Sequence, residues 1–129
     1  MENTQPLPNC LTWFDIPVLD FERAIHCYTN LFDAPLKKEN FGLQDMAVFT
    51  FEPGTVGGAL VTNPAHKPSA EGTLVYFNCN PSLKTVLDRA TVQGLKIALP
   101  STALPHNMGF IAIIHDTEGN RIGLHAMAA

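Results

Sequence analysis

The stretch LTWFDIPVLDFERAIHCYTNLFD, residues 11–33, changes its hydrophobic period at Asp20, and the same change recurs in the second half of the chain. Before Asp20 the residues alternate and favour extended backbone, which predicts a strand over 11–18. After it, Phe21, Ala24, Ile25, Tyr28, Leu31 and Phe32 fall at helical spacing on one face. Asp20 is placed to accept a first-turn amide as N-cap, and Ala34-Pro35 to end the helix. Extended segments near 36–41, 45–51 and 56–62 follow, punctuated by Phe41-Gly42 and Pro53-Gly54. The aperiodic, proline-bearing NPAHKPSAEG then reads as a linker, and the pattern restarts. TLVYFNC is a strand, and Leu83, Val86, Leu87 and Ala90 stripe a helix that begins near Asn80 and stops at Gly94. Strands near 95–99, 109–115 and 120–126 complete the second half, the last two joined by a tight turn at Gly119. The chain is therefore expected to be one α+β domain over 1–129, built of two tandem βαβββ modules. These span about 11–62 and 72–127 with a linker over 63–71, a repeat at an offset of roughly sixty residues.

Composition removes several classes of function. A chain of 129 residues with 46% hydrophobic residues can bury a core. Its net charge of −4, with eight Lys and Arg spread along it, offers no basic stripe, so nucleic acid is not an expected partner. No apolar run approaches the roughly 18 residues of a membrane span, and MENTQPLPNC has neither a basic nor an apolar leader region, so a soluble cytoplasmic protein with no membrane partner is expected. Cys10, Cys27 and Cys79 lack CxxC spacing and read as reduced thiols, with Cys27 on the helix surface. With no neighbouring base they are poor nucleophiles. There is no P-loop, no GxGxxG after a strand, no GxSxG elbow and no HExxH, and the glycines of VGGAL sit on a strand, not before a helix.

With FDIPVLDFERAIHCYTNLF at the first strand and helix and MGFIAIIHDTEGNRIGLH at the last hairpin, the chain resembles the glyoxalase, bleomycin resistance protein and extradiol dioxygenase (vicinal oxygen chelate) superfamily over residues 11–127. The resemblance implies a curved eight-stranded mixed sheet forming a cup, with the helices outside and usually in a homodimer. Such a cup is built within one chain or by exchange of halves. It also implies where a metal would be held, by His or Glu from the first and fourth strands of each half. The matching positions here are Trp13, Gly58, Leu74 and Gly123, with Gly57, Ala59 and Thr73 beside them if the register slips by one. A divalent ion needs lone-pair donors converging at about 2.0–2.2 Å, and these side chains offer nothing better than the weak hydroxyl of Thr73, so neither a metal nor another cofactor is expected. Gly123 then leaves room in the cup for a ligand, or else serves only close packing of strands.

Alternation fixes what else faces the cup. Trp13 and Asp15 share one face of the first strand, opposite Phe14, Ile16 and Val18. Leu74, Tyr76 and Asn78 share a face on the fifth strand, and Arg121, Gly123 and His125 on the last. These residues, with Gly58 and with His106 in the loop STALPHNMG, are the candidate ligand contacts. Each has a plainer reading: Asp15 and Arg121 as a structural ion pair, Trp13 as core, His125 as a half-exposed strand residue, and His26, His66, His106 and His115 as solvated or locally bonded. The reading that fits best is metal-independent binding of a small hydrophobic or aromatic molecule. Three others compete: a lyase, isomerase or dioxygenase similar to glyoxalase I with an unusual ligand set such as Asp15 and His125; metal-free acid–base chemistry by Asp15 or His125 with Arg121 stabilising an oxyanion; and a degenerate cup that only pairs with a partner chain.

Overall fold

A computed structural model describes residues 8–42 and 44–129. The first half supplies β1 (Trp13–Pro17), α1 (Phe21–Phe32), β2 (Lys37–Phe41), β3 (Gln44–Val48) and β4 (Gly57–Thr62). The second supplies β5 (Tyr76–Asn78), α2 (Leu83–Val92), β6 (Ile97–Ala103), β7 (Phe110–His115) and β8 (Arg121–Ala126). Asp20 caps α1 as its sequence predicts, accepting the Arg23 amide at 3.0 Å. The helix ends one residue before Ala34-Pro35, on Asp33 in the left-handed region at φ 50°.

The strands pair as two separate four-stranded sheets, in the orders β1-β4-β3-β2 and β5-β8-β7-β6, each with one parallel and two antiparallel pairings. Among the described residues the eight strands are thus not joined into one continuous sheet, and β1 and β5 each keep a free edge. Alternation sends Ile16, Val18, Leu60, Ile114, Ile122 and Leu124 to the helix side, where one apolar cluster runs across both halves and both helices. Because α1 packs on β4 and also against α2, its buried face is wider than the stripe read from sequence. This corrects the placement of Cys27, which is buried at 1% exposure and not on the helix surface.

Side chains of the hairpin turn DTEGN, and not a strand ladder, lock the halves together. Glu118 is buried and accepts the Leu19 and Asp20 amides at 2.9 and 2.7 Å and the Arg23 Nε at 2.7 Å. Tyr28 donates its hydroxyl to Asp116 Oδ2 at 2.6 Å, and Asn120 Nδ2 donates to the Pro17 carbonyl at 2.8 Å. Satisfying these groups internally is what allows three polar side chains, Asp116, Glu118 and Asn120, to be buried at the joint.

Several expected strands differ in length, β1 and β3 spanning Trp13–Pro17 and Gln44–Val48 where the sequence predicts 11–18 and 45–51. β5 covers only 76–78 of the expected TLVYFNC. β6 runs to Ala103, past the expected 99, through register shifts that bend it along β7.

Candidate functional site

The faces turned away from the helices carry the residues that alternation assigned to the cup. On the first sheet Trp13 and Asp15 lie opposite Gly57 and Ala59 in the parallel β1–β4 pairing. On the second, Tyr76 and Asn78 lie opposite Gly123 and His125 in the β5–β8 pairing. Matching backbone bonds align the two halves: Val18 N donates to Val61 O at 2.9 Å, and Cys79 N to His125 O at 2.7 Å. That equivalence makes Ala59 the counterpart of Gly123, so the register on β4 sits one residue beyond Gly58. Gly58 instead pairs with Phe14 and lies beneath its ring on the helix side, which removes it from the cup face.

Gly123 does not leave an empty space. The ring of Tyr76 lies across it, so closely that a Cβ there would overlap the ring carbons. A glycine is required at that point by a close approach, and the approaching group is an aromatic side chain of the neighbouring strand. The first sheet has a similar contact two residues earlier on its strand: the Phe51 ring lies across Gly57, and Trp13 meets Phe51 edge-on with centroids 5.8 Å apart. Tyr76 remains 45% exposed, so its second ring face is open.

Polar groups are fixed around this aromatic floor. Trp13 Nε1 donates to Asp15 Oδ1 at 3.0 Å, and Arg121 stands across from His115 on the other sheet, so Asp15 and Arg121 do not form the ion pair that sequence allowed. Among the described residues the ion pairs use Arg23, Lys37, Lys38, Lys84 and Arg89. His125, half-buried, bonds through Nε2 to the Met108 carbonyl at 2.7 Å. His106 is exposed in the β6–β7 loop, His26 bonds Asn30, and His66 bridges back to Asn63.

A cleft of about 920 Å³ opens between the two halves. Its floor is the ring cluster of Phe14, Phe32, Phe49 and Phe77, with centroids between 4.7 and 6.5 Å for the pairs in contact. Tyr76 and Asn78, on the free edge of β5, border both this cleft and the cup face. Sequence reasoning missed Phe49 and Phe51, which lie beyond the end of β3, and read Phe77 only as a helix-side residue. In the run FTFEPG the two aromatics part, Phe49 joining the helix-side ring cluster and Phe51 lying on Gly57 beside Trp13.

The residues present do not fit a divalent metal at the family position. Trp13, Ala59, Leu74 and Gly123 bring no carboxylate, imidazole or thiolate, and the Tyr76 ring fills the volume above Gly123. Among the described residues, no three His, Cys, Asp or Glu side chains are grouped as a metal would require.

The sequence profile described as Glyoxalase/Bleomycin resistance protein/Dioxygenase superfamily matches residues 11–124. No curated protein matches the chain. Among solved structures, the fosfomycin resistance protein of Listeria monocytogenes superposes with a TM-score of 0.69 at 14% identity, covering 94% of this chain and 92% of that one. A glyoxylase/bleomycin resistance protein/dioxygenase domain from Frankia reaches 0.67 at 17% identity, covering 92% and 97%. The trypanothione-dependent glyoxalase I of Leishmania major reaches 0.67 at 16% identity, covering 92% and 87%. At such identities these likenesses establish a shared fold. No helix of the described residues is long and apolar enough to cross a membrane.

Proposed function

The chain belongs to the Glyoxalase/Bleomycin resistance protein/Dioxygenase superfamily, and we propose that it binds a small, planar hydrophobic or aromatic molecule without a resident metal. The observation that carries this reading is the Tyr76 ring laid on Gly123. At the point where a metal-binding relative would place a donor, this chain places an aromatic surface, one side packed on glycine and the other exposed. Stacking on such a ring contributes roughly 0.5–1.5 kcal/mol beyond the area it buries. The adjoining cleft gives a flat ligand further apolar wall at Phe14 and Phe77.

The second part of the proposal is a homodimer. The cup faces belong to two sheets, and β1 and β5 carry free edges beside the exposed rings of Trp13, Phe51 and Tyr76. A second copy laid along these edges would cover that apolar surface and bring the two kinds of face together. Sedimentation at micromolar concentration is expected to give the mass of two chains. A monomer at that concentration would remove the dimer and leave the ligand proposal to stand or fall by binding.

Two measurements test the ligand reading. After dialysis against nickel, zinc, manganese or iron(II), retained metal is expected to stay below about a tenth of an equivalent per chain, because a site needs at least three donors. Close to one equivalent would sink the metal-free reading. Trp13 is the only tryptophan, so its fluorescence follows titration with flat bicyclic probes. Saturable binding supports the proposal, and no binding of any such probe counts against it.

A further inference from the structure

We infer that the ligand presents an N–H and a C=O on one edge of its flat ring, as a lactam or imide does, to His125 and Asn78 respectively. This rests on the planar-ligand reading above and specifies the chemistry that the same face selects.

The argument begins with what Met108 does to His125. A carbonyl oxygen only accepts, so the 2.7 Å bond to Met108 O places the hydrogen on Nε2. In the neutral imidazole the other nitrogen, Nδ1, is then an acceptor with an unshared pair. Among the described residues no hydrogen bond reaches Nδ1. The loop that delivers this carbonyl is held in shape. His106 and Asn107 are both in the left-handed region, at φ 59° and 55°, and Leu104 N donates across the loop to Gly109 O at 2.8 Å. Two consecutive non-glycine residues at positive φ are costly and need surroundings that impose them. Gly109 is the one residue that fits against Ala126 O, where a Cβ would come within 2.5 Å.

Asn78 is fixed in the complementary sense. The Asn80 amide donates to Asn78 Oδ1 at 3.0 Å, and because a backbone N–H cannot accept, this orients the amide group. Its Nδ2 hydrogens are left as donors, and among the described residues no hydrogen bond uses them. Asn78 and His125 stand opposite each other in the β5–β8 pairing. Neighbouring strands lie about 4.8 Å apart, so the residues that carry this donor and this acceptor are neighbours on one face. Two residues earlier on the same strands, about 6.6 Å along the same face, are Tyr76 and Gly123. That distance is about the width of a fused ring. A flat molecule stacked on Tyr76 therefore reaches the Asn78–His125 pair with its edge, and the edge that satisfies both carries an acceptor for Asn78 and a donor for His125.

The test compares 2-quinolone with N-methyl-2-quinolone and with quinoline, by calorimetric titration and Trp13 fluorescence. The lactam is expected to bind about tenfold or more tightly than its N-methyl derivative, because a site built to bond an N–H rejects an analogue lacking it. Asn78→Asp keeps an oxygen for the Asn80 amide but has no N–H, and His125→Phe keeps a flat ring without the acceptor. Each, checked for an unchanged unfolding transition, is expected to bring the lactam and its N-methyl derivative to equal affinity. Equal binding of the lactam and its N-methyl derivative overturns the inference while planar-ligand binding survives. A preference that persists in both variants overturns it as well. Failure of all three probes to bind removes the planar-ligand reading and the inference with it.

Discussion

Tyr76 and Gly123 stand opposite each other on parallel strands, and the tyrosine ring occupies the place of the side chain that Gly123 lacks. The pair is thus a mutual fit: the glycine exists for the ring, and the ring lies flat because of the glycine. Gly123→Ala introduces a Cβ that overlaps Tyr76, and the ring, being half-exposed, must swing outward. Displacing a partly exposed side chain is cheap, so the expected loss of stability is about 1 kcal/mol, read by calorimetry. The loss of binding for a flat probe is expected to be larger in proportion, tenfold or more. A variant that keeps its affinity would show that Tyr76 is packing and not a platform.

Glu118 sets an acid limit on the joint between the halves. Burial alone would push its carboxyl up, but the Arg23 guanidinium, the Asp20 amide, the Thr117 hydroxyl and the Leu19 amide together hold it down at about 2. The folded value lies below the ordinary value of 4.5, so the stabilisation is complete above about pH 5 and is lost as pH falls from 4.5 through about 2. A depression of that size corresponds to about 2–3 kcal/mol, taken at the low end because Arg23 is half in solvent. Urea unfolding at pH 6 and pH 2.5 should show this loss in the parent chain. Glu118→Gln should start lower at pH 6 and lose correspondingly less on acidification. Equal losses in both proteins would mean that the joint's acid sensitivity resides elsewhere.

Tyr28 contributes to the same joint through a single bond. Its hydroxyl donates to Asp116 at 2.6 Å, and its complete burial, followed by the Asp116 charge and that bond, pushes the phenol well above the usual tyrosine range. Tyr28→Phe keeps the ring that packs against Phe49 and Phe77 and removes only the charge-assisted bond. Asp116 retains the Glu118 and Asn120 amides and Asn120 Nδ2, so the expected cost is about 1.5–3 kcal/mol and not unfolding. Denaturant midpoints at constant slope measure it. A cost under about 0.5 kcal/mol would assign the buried aspartate's stability to its amide bonds alone.

The sequence makes the fold legible because both signals it uses are local. The period switch at Asp20 and its echo after the linker give helix and strand, and strand alternation gives the correct face for Trp13, Asp15, Tyr76, Asn78 and His125. What it leaves hidden depends on long-range geometry. Gly58 reads as a cup residue only because nothing local fixes strand register, and a slip of one residue reverses the face. Cys27 reads as a surface residue because the apolar stripe shows one contact face, while α1 has a second one against α2. Gly123 advertises that something comes close but not what does. The DTEGN turn reads as a hairpin, yet its acidic residue binds a helix start nearly the whole chain away. Separation in sequence leaves no periodic trace.

Burial divides the three thiols sharply. Cys10 is exposed, whereas Cys27 and Cys79 are buried at 1% and 4% exposure. Burial pushes the Cys27 thiol up, and it pushes Cys79 up to about 11 against an opposing backbone bond from His125. The thiolate is the reacting form, so at pH 8 both buried groups are almost wholly protonated as well as shielded. A disulfide exchange reagent such as dithionitrobenzoate is therefore expected to react quickly with one thiol per native chain and with three in denaturant. The slow pair reports on the core that joins the halves, because Cys27 and Cys79 belong to the cluster shared by both sheets. Their rate should rise in Glu118→Gln as the opening of that joint becomes easier. Two or three fast thiols in the native parent would contradict the packing of α1 between its sheet and α2. An unchanged slow rate in Glu118→Gln would show that the polar joint and the apolar core open independently.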